Sequence, residues 1–191
     1  MSTVTTPPAA GRRRWYTEPE TFVALTALVV SISAVAVGIY EASLQRKHDV
    51  AEVWPHVELS VYLSPTGAAL YLENTGIGPA VINSVVVTVD GRARRNWDEV
   101  AQALLGGSPV LTQTGTVADR AVRPGDKVTM VAIGKESLTP GFWKYIGRLA
   151  VRVCYASVFD DHWVVSDDHI GGRSTWDKVK SCPHQANGTD F

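Results

Sequence analysis

Charge of one sign is the first thing this chain lacks: 18 Lys and Arg against 19 Asp and Glu leave a formal net charge of −1. With no basic or acidic excess, nothing points to nucleic acid or to an anionic substrate. Cysteine is scarce, at two residues. No oxyanion-hole loop and no second cluster of metal ligands accompanies the few histidines and acids, so no cofactor or metal is expected. The remaining absence is local and tells most. Between Thr21 and Tyr40 (TFVALTALVVSISAVAVGIY) there is no charged residue. At ~1.5 Å per residue, that run is long enough to cross a ~30 Å hydrocarbon layer.

A secretory signal peptide also begins with arginines and an apolar run, but its run is usually only about 7–15 residues long. Here the one cleavage-like motif, Ala34-Val35-Ala36, is followed by four further uncharged residues, Val37 to Tyr40. A retained anchor is therefore expected over residues 21–40. Arg12, Arg13 and Arg14 precede it, while Arg46 and Lys47 follow. The basic excess lies on the shorter flank, which predicts a single-pass protein of the inner or plasma membrane with its N-terminus cytoplasmic and its C-terminal domain extracytoplasmic. Trp15, Tyr16 and Tyr40 stand where interfacial aromatics are expected. Residues 1–20 read as a disordered cytoplasmic tail. Within the span, Ala24, Ala27, Ser31, Ala34 and Gly38 recur at spacings of three and four, a small-residue stripe suited to helix–helix packing. The expected partners are thus the bilayer and, through the stripe, a second copy or another membrane protein.

Residues 41–55 carry no glycine and only one proline, Pro55, which predicts a juxtamembrane helical stalk ended by that proline. The period then changes. Val57, Leu59, Val61 and Leu63 alternate with polar residues or Tyr62, and strand grammar runs through residues 56–170. A Ser-Pro-Thr-Gly turn at 64–67 leads to a second strand, 68–73. Next comes Asn74-Thr75-Gly76-Ile77-Gly78-Pro79-Ala80, where two glycines permit positive φ and Pro79 fixes the way into a strand over 81–89. A phosphate-binding glycine loop would need a helix next, and a β-branched strand follows instead. This turn resembles the N-x-G-x-G-P-A turn of uncharacterised bacterial proteins with one N-terminal span and a small β-sandwich, and the N-x-G turns of immunoglobulin-like adhesive modules. The resemblance covers about a third of the domain. It implies a fold and a topology, and it brings no catalytic residues.

Asp90-Gly91 predicts a turn, with Arg92, Arg94 and Arg95 in a solvated loop behind it. Asn96 to Leu105 reads as a short inserted helix, capped by Asn96 with Glu99 three residues on and ended at Gly106-Gly107. Short strands or an irregular crossing are expected over 108–123. Arg123-Pro124-Gly125-Asp126 then turns the chain into a strand over 127–133 and is again similar to immunoglobulin-like domains. Phe142 and Trp143 fall near the tip of a loop, 134–145, where they either plug the end of the domain or meet a partner. A central strand is expected over 148–159, separated by Asp160-Asp161 from another over 162–166.

That hairpin holds the only candidates for chemistry. With a two-residue loop, position i pairs with 321 − i, which sets His162 and His169 on opposite faces and gathers Arg152, Cys154, Asp167 and His169 on one. A cysteine nucleophile beside Asp167 and His169 is the sharper reading. The plainer one is a disulfide between Cys154 and Cys182, closing a loop of about 29 residues worth roughly 3–4 kcal/mol and pinning a polar tail, 171–191, onto the sheet. The expected protein is an N-terminal transmembrane helix plus an all-β, immunoglobulin-like sandwich with one short inserted helix. Its expected role is a non-catalytic binding or scaffold protein of the cell envelope; a small thiol- or metal-dependent envelope enzyme is the alternative.

Overall fold

Prolines bound the first element. Pro19 opens helix α1 (Pro19–Glu52), at a position where a missing N–H costs nothing, and Pro55 follows three residues after its end. The structure, a computed structural model, describes residues 19–106, 111–135, 145–170 and 172–191. The 1–18 segment with Arg12 to Arg14, Trp15 and Tyr16 lies outside the described residues, as do Gly107, Phe142 and Trp143. The chain divides into two units, one ending at His48 and one running from Asp49 to Phe191. Helix α1 joins the predicted span and most of the predicted stalk in one continuous helix of 34 residues. Its stretch Pro19–Val50 is long and apolar enough to cross a membrane, with a mean hydropathy of 2.5 and none of its most apolar window buried.

The second unit is built of antiparallel ladders. Strands β1 (Val57–Ser64) and β2 (Gly67–Asn74) form a hairpin closed by Pro65 and Thr66. Then come β3 (Ala80–Val89), the two-residue β4 (Arg92–Ala93), helix α2 (Trp97–Leu105), β5 (Leu111–Thr114), β6 (Ala121–Val122) and β7 (Lys127–Gly134). Strands β8 (Leu149–Ala156), β9 (His162–Asp167) and β10 (Thr175–Val179) complete it. One sheet has the order β1-β2-β7-β5 and the other β10-β9-β8-β3-β4, with β6 also on β3. Their alternating apolar residues meet in a single core: Leu59, Leu70, Leu72 and Met130 from the first sheet, Val85, Val87, Val151 and Val153 from the second. A slip of register between Ile82 and Ser84 explains why Ile82 and Val85, three apart, both point inward.

Helix α2 begins as its sequence predicts. Asn96 Oδ1 accepts the Glu99 N–H at 2.9 Å, but Glu99 returns its carboxylate to the N–H of Arg95 (3.0 Å), one residue before the cap. Its apolar side sets Trp97 and Val100 into the core, with the Trp97 ring edge-on to Phe191 at 5.1 Å. At Asp90-Gly91 both residues have positive φ, as a tight hairpin turn between β3 and β4 requires. Arg148 clasps the Asp90 carboxylate there and holds it below the usual carboxylate range.

Two expectations need correction. The β8–β9 loop has five residues, 157–161, rather than two, because the Ser157 hydroxyl accepts the N–H groups of Phe159 and Asp161 while Asp160 turns to φ 65°. Phe159 leaves the strand and is exposed. Of the 171–191 segment, expected as a tail, the described residues 172–191 belong to the domain. They supply edge strand β10, and Phe191 is 1% exposed in the core. Composition hid this, since the anchors are single side chains. The Gln185 amide pairs with the N–H and C=O of Val85 on the bare side of β3, and Cys182 is bonded to Cys154 with a Cα–Cα distance of 5.6 Å.

The bridge, spanning a sequence separation of 28, acts on stability through that one crosslink. Cys154→Ser, Cys182→Ser and the double variant should each lose about 3–4 kcal/mol of unfolding free energy in chemical denaturation. A double variant much weaker than either single would show that the thiols stabilise the fold separately.

Candidate functional site

The loop length decides the fate of the catalytic candidates. In the observed register the partner of residue i is 318 − i, an odd displacement from the two-residue case, which turns one strand over relative to the other. Cys154 therefore lies opposite Val164, whereas Asp167 lies opposite Val151 on the core-facing side, where it is buried. His169 falls beyond the end of β9 and is exposed, its N–H on the Asp167 carboxylate at 3.3 Å. The trio is not assembled, and the Cys154 sulfur is already committed to Cys182. Among the described residues no group of three or more His, Cys, Asp or Glu is placed to hold a metal ion.

The residues singled out as a shaped turn are brought together. Asn74 ends β2 with no exposed surface and uses every polar group it has. Its side-chain oxygen accepts the N–H of His56 (3.2 Å) and of Gly76 (3.1 Å), and its amide donates to the carbonyls of Gly78 (2.8 Å) and Val122 (3.0 Å). Its main chain bonds Gly125 and Asp126 in the Arg-Pro-Gly-Asp turn, where Gly125 has the positive φ that such a turn needs. Around this hub the 76–78 turn grips the chain between α1 and β1. The Trp54 carbonyl accepts the N–H groups of Ile77 (3.0 Å) and Gly78 (3.3 Å), and the His56 carbonyl accepts that of Thr75 (2.8 Å).

This close approach corrects the reason for the glycines. Neither Gly76 nor Gly78 has positive φ. A side chain is excluded because a Cβ on Gly78 would overlap the Val53 carbonyl, and one on Gly76 would overlap the backbone of Trp54 to His56. Pro79 then leads into Ala80, which is fully buried at the start of β3.

The gripped segment carries an aromatic surface that sequence reasoning missed. Trp54, His56 and Trp176 lie in series, Trp54 tilted against His56 with ring centroids 5.0 Å apart and His56 stacked on Trp176 at 4.8 Å, and the Trp176 indole donates to the Val57 carbonyl at 2.8 Å. Trp54 and Trp176 remain partly exposed, beside an exposed Ile77. The Val57 N–H reaches the Tyr155 hydroxyl, whose ionisation burial pushes up and this contact opposes. No alternation marks Trp176 in the sequence, since the two apolar residues of β10, Trp176 and Val179, stand three apart in a polar stretch.

The small residues Ala24, Ala27, Ser31, Ala34 and Gly38 all lie on α1 and are exposed. The hydroxyls along the apolar run bond back into the helix: Thr26 to the Phe22 carbonyl at 3.0 Å, Ser31 to Ala27 at 2.8 Å and Ser33 to Val29 at 2.9 Å. No protein-family model matches the chain, and no curated protein or solved structure does either.

The hub yields paired expectations. Asn74→Ala strands four polar groups and should cost about 3 kcal/mol in chemical denaturation. Asn74→Asp keeps the acceptor, loses the donor and buries a charge. Burial raises that carboxyl's pKa, so its penalty should shrink as pH falls and grow as pH rises through the folded-state pKa. Gly78→Ala should cost about 3 kcal/mol through backbone overlap, against about 1 kcal/mol for Gly91→Ala, where φ is +74° and the space is open. Equal losses at the two glycines would overturn the close-approach account.

Proposed function

We propose that the chain is a single-pass membrane protein of the cell envelope whose extracytoplasmic β domain, an immunoglobulin-like sandwich, binds or scaffolds partners without catalysis. One observation carries the anchoring: the charge-free run lies on a continuous helix with apolar side chains exposed all round. Phe22, Val23, Val30, Ile32 and Ile39 are each more than 60% exposed. An apolar helix exposed on every side belongs in lipid or against protein. The back-bonded Thr26, Ser31 and Ser33 leave few unmet polar groups, which suits hydrocarbon. The Cys154–Cys182 bridge supports an oxidising compartment for the domain.

The sandwich reading rests on strand order. Matched in sequence to immunoglobulin strands, β1-β2-β7-β5 follows A-B-E-D, and β9-β8-β3-β4 follows G-F-C-C′. The chain departs from the antibody pattern in that its disulfide joins β8 to the C-terminal segment rather than the two sheets. The binding role is supported by the gripped, partly exposed aromatic surface of Trp54, His56 and Trp176, and helix association by the small-residue stripe.

In alkaline extraction and flotation, the full chain should remain with the bilayer, and Val30→Arg with Val35→Arg should release it. A reporter active only in the cytoplasm, fused after Phe191, should stay silent. Release of the unaltered chain would refute the anchor, and a strong reporter signal would refute the orientation.

A further inference from the structure

Strand β1 is an edge strand with a decided direction. A two-residue loop makes Ser64 and Gly67 a hydrogen-bonded pair, so the main-chain groups of Glu58, Ser60 and Tyr62 face β2 while those of Val57, Leu59, Val61 and Leu63 face away. Val57 agrees, since both of its groups turn from β2, to the Tyr155 hydroxyl and the Trp176 indole. Beyond it, among the described residues, the outward N–H and C=O groups of Leu59, Val61 and Leu63 have no partner.

The other edges are blunted in the ways that natural sheets use against stray pairing. Strand β5 has four residues and a slip of register, β4 has two, and β10 has five, including Asp177 and Lys178. The bare side of β3 is covered by Gln185. In contrast, β1 is eight residues long with unbroken register, and it contains no proline and no lysine.

We propose that this edge pairs with β1 of a second copy, antiparallel about a two-fold axis at Val61, joining the two four-stranded sheets into one of eight strands. The strand is complementary to itself in that register. Leu59 meets Leu63 of the second copy on the inner face, while Ser60 meets Tyr62 and Glu58 meets Ser64 on the outer face, so no like charges oppose. Three outward residues in three such pairs exchange six main-chain hydrogen bonds. The choice of a second copy rests on the anchored reading above, because two chains held in one membrane meet at high effective concentration. The stripe from Ala24 to Gly38 brings their helices together by an independent contact.

The test uses the full chain in lipid vesicles with its native disulfide. Under mild oxidation, Val61→Cys should give at least about tenfold more covalent dimer than Asn187→Cys, an exposed position away from the edge. Adding Leu63→Pro removes an outward donor where an edge strand tolerates proline and should return crosslinking to the control level with an unchanged melting curve. Should that variant unfold, register is read separately: Ser60→Cys chains should crosslink to Tyr62→Cys chains in preference to themselves. Crosslinking at the control level, crosslinking that survives Leu63→Pro in a folded protein, or capture of a different protein would each overturn the proposal. Flotation is scored on the same samples, so failure of the anchor is read apart from failure of the edge.

Discussion

One buried amide holds three parts of the chain in place. Asn74 lies where the first sheet ends and the chain crosses to the second, a point at which four main-chain groups from separate segments lose their water together. Two of those groups are donors and two are acceptors, so only a side chain offering both answers them, and the short reach of Asn puts both on one plane. The cost of leaving any of them unmet fixes the path of His56, the 76–78 turn and Val122 relative to one another. The glycines serve the same end by clearance, since backbone carbonyls approach where a Cβ would stand. The motif N-x-G-x-G-P-A is thus a socket for the segment that leaves the helix.

The sequence reading was sound wherever one face of an element is apolar and the other wet. Alternation placed β1, β2, β3, β7, β8 and β9 within a few residues of their ends, and the Asn96–Glu99 pair marked α2. The reading broke down where a single side chain or one loop residue decides. Asp160 in the left-handed region lengthens a loop by three residues, and because that number is odd, every facing relation across β8 and β9 inverts. No pattern in the Phe-Asp-Asp-His stretch distinguishes two-residue from five-residue closure, since Asp is at home in both. The supposed trio of Cys154, Asp167 and His169 was therefore an artefact of an assumed turn.

Positive φ misled in a related way. The sequence suggests conformational freedom at Gly76 and Gly78, whereas left-handed residues occur at Asp90, Asp119 and Asp160 and at glycines such as Gly91 and Gly125. Glycine answers two demands, an unusual dihedral and an absent Cβ, and sequence alone does not separate them. The candidate surface at Trp54, His56 and Trp176 was hidden for another reason. Its members come from the helix exit and from a polar stretch near the end of the chain, and only pairing of β10 with β9 brings them together.

Hydrophobic pattern specifies faces, but it says nothing of edges, and the C-terminal segment shows what edges require. From Thr175 to Phe191 that segment adds a short charged strand, covers the bare run of β3 through one glutamine and sends one aromatic ring into the core. Its polar composition follows from that work, because a covering strand meets water on its outer side and main-chain groups on its inner side. The cystine makes the covering durable by crosslinking the segment to central strand β8 rather than to an edge. A chain that devotes some twenty residues to closing one sheet leaves β1 unbroken in register, uncharged at its centre and, among the described residues, with the outward main-chain groups of Leu59, Val61 and Leu63 unpaired. Since an open edge invites pairing, its persistence here is more economically explained by an occupant than by neglect.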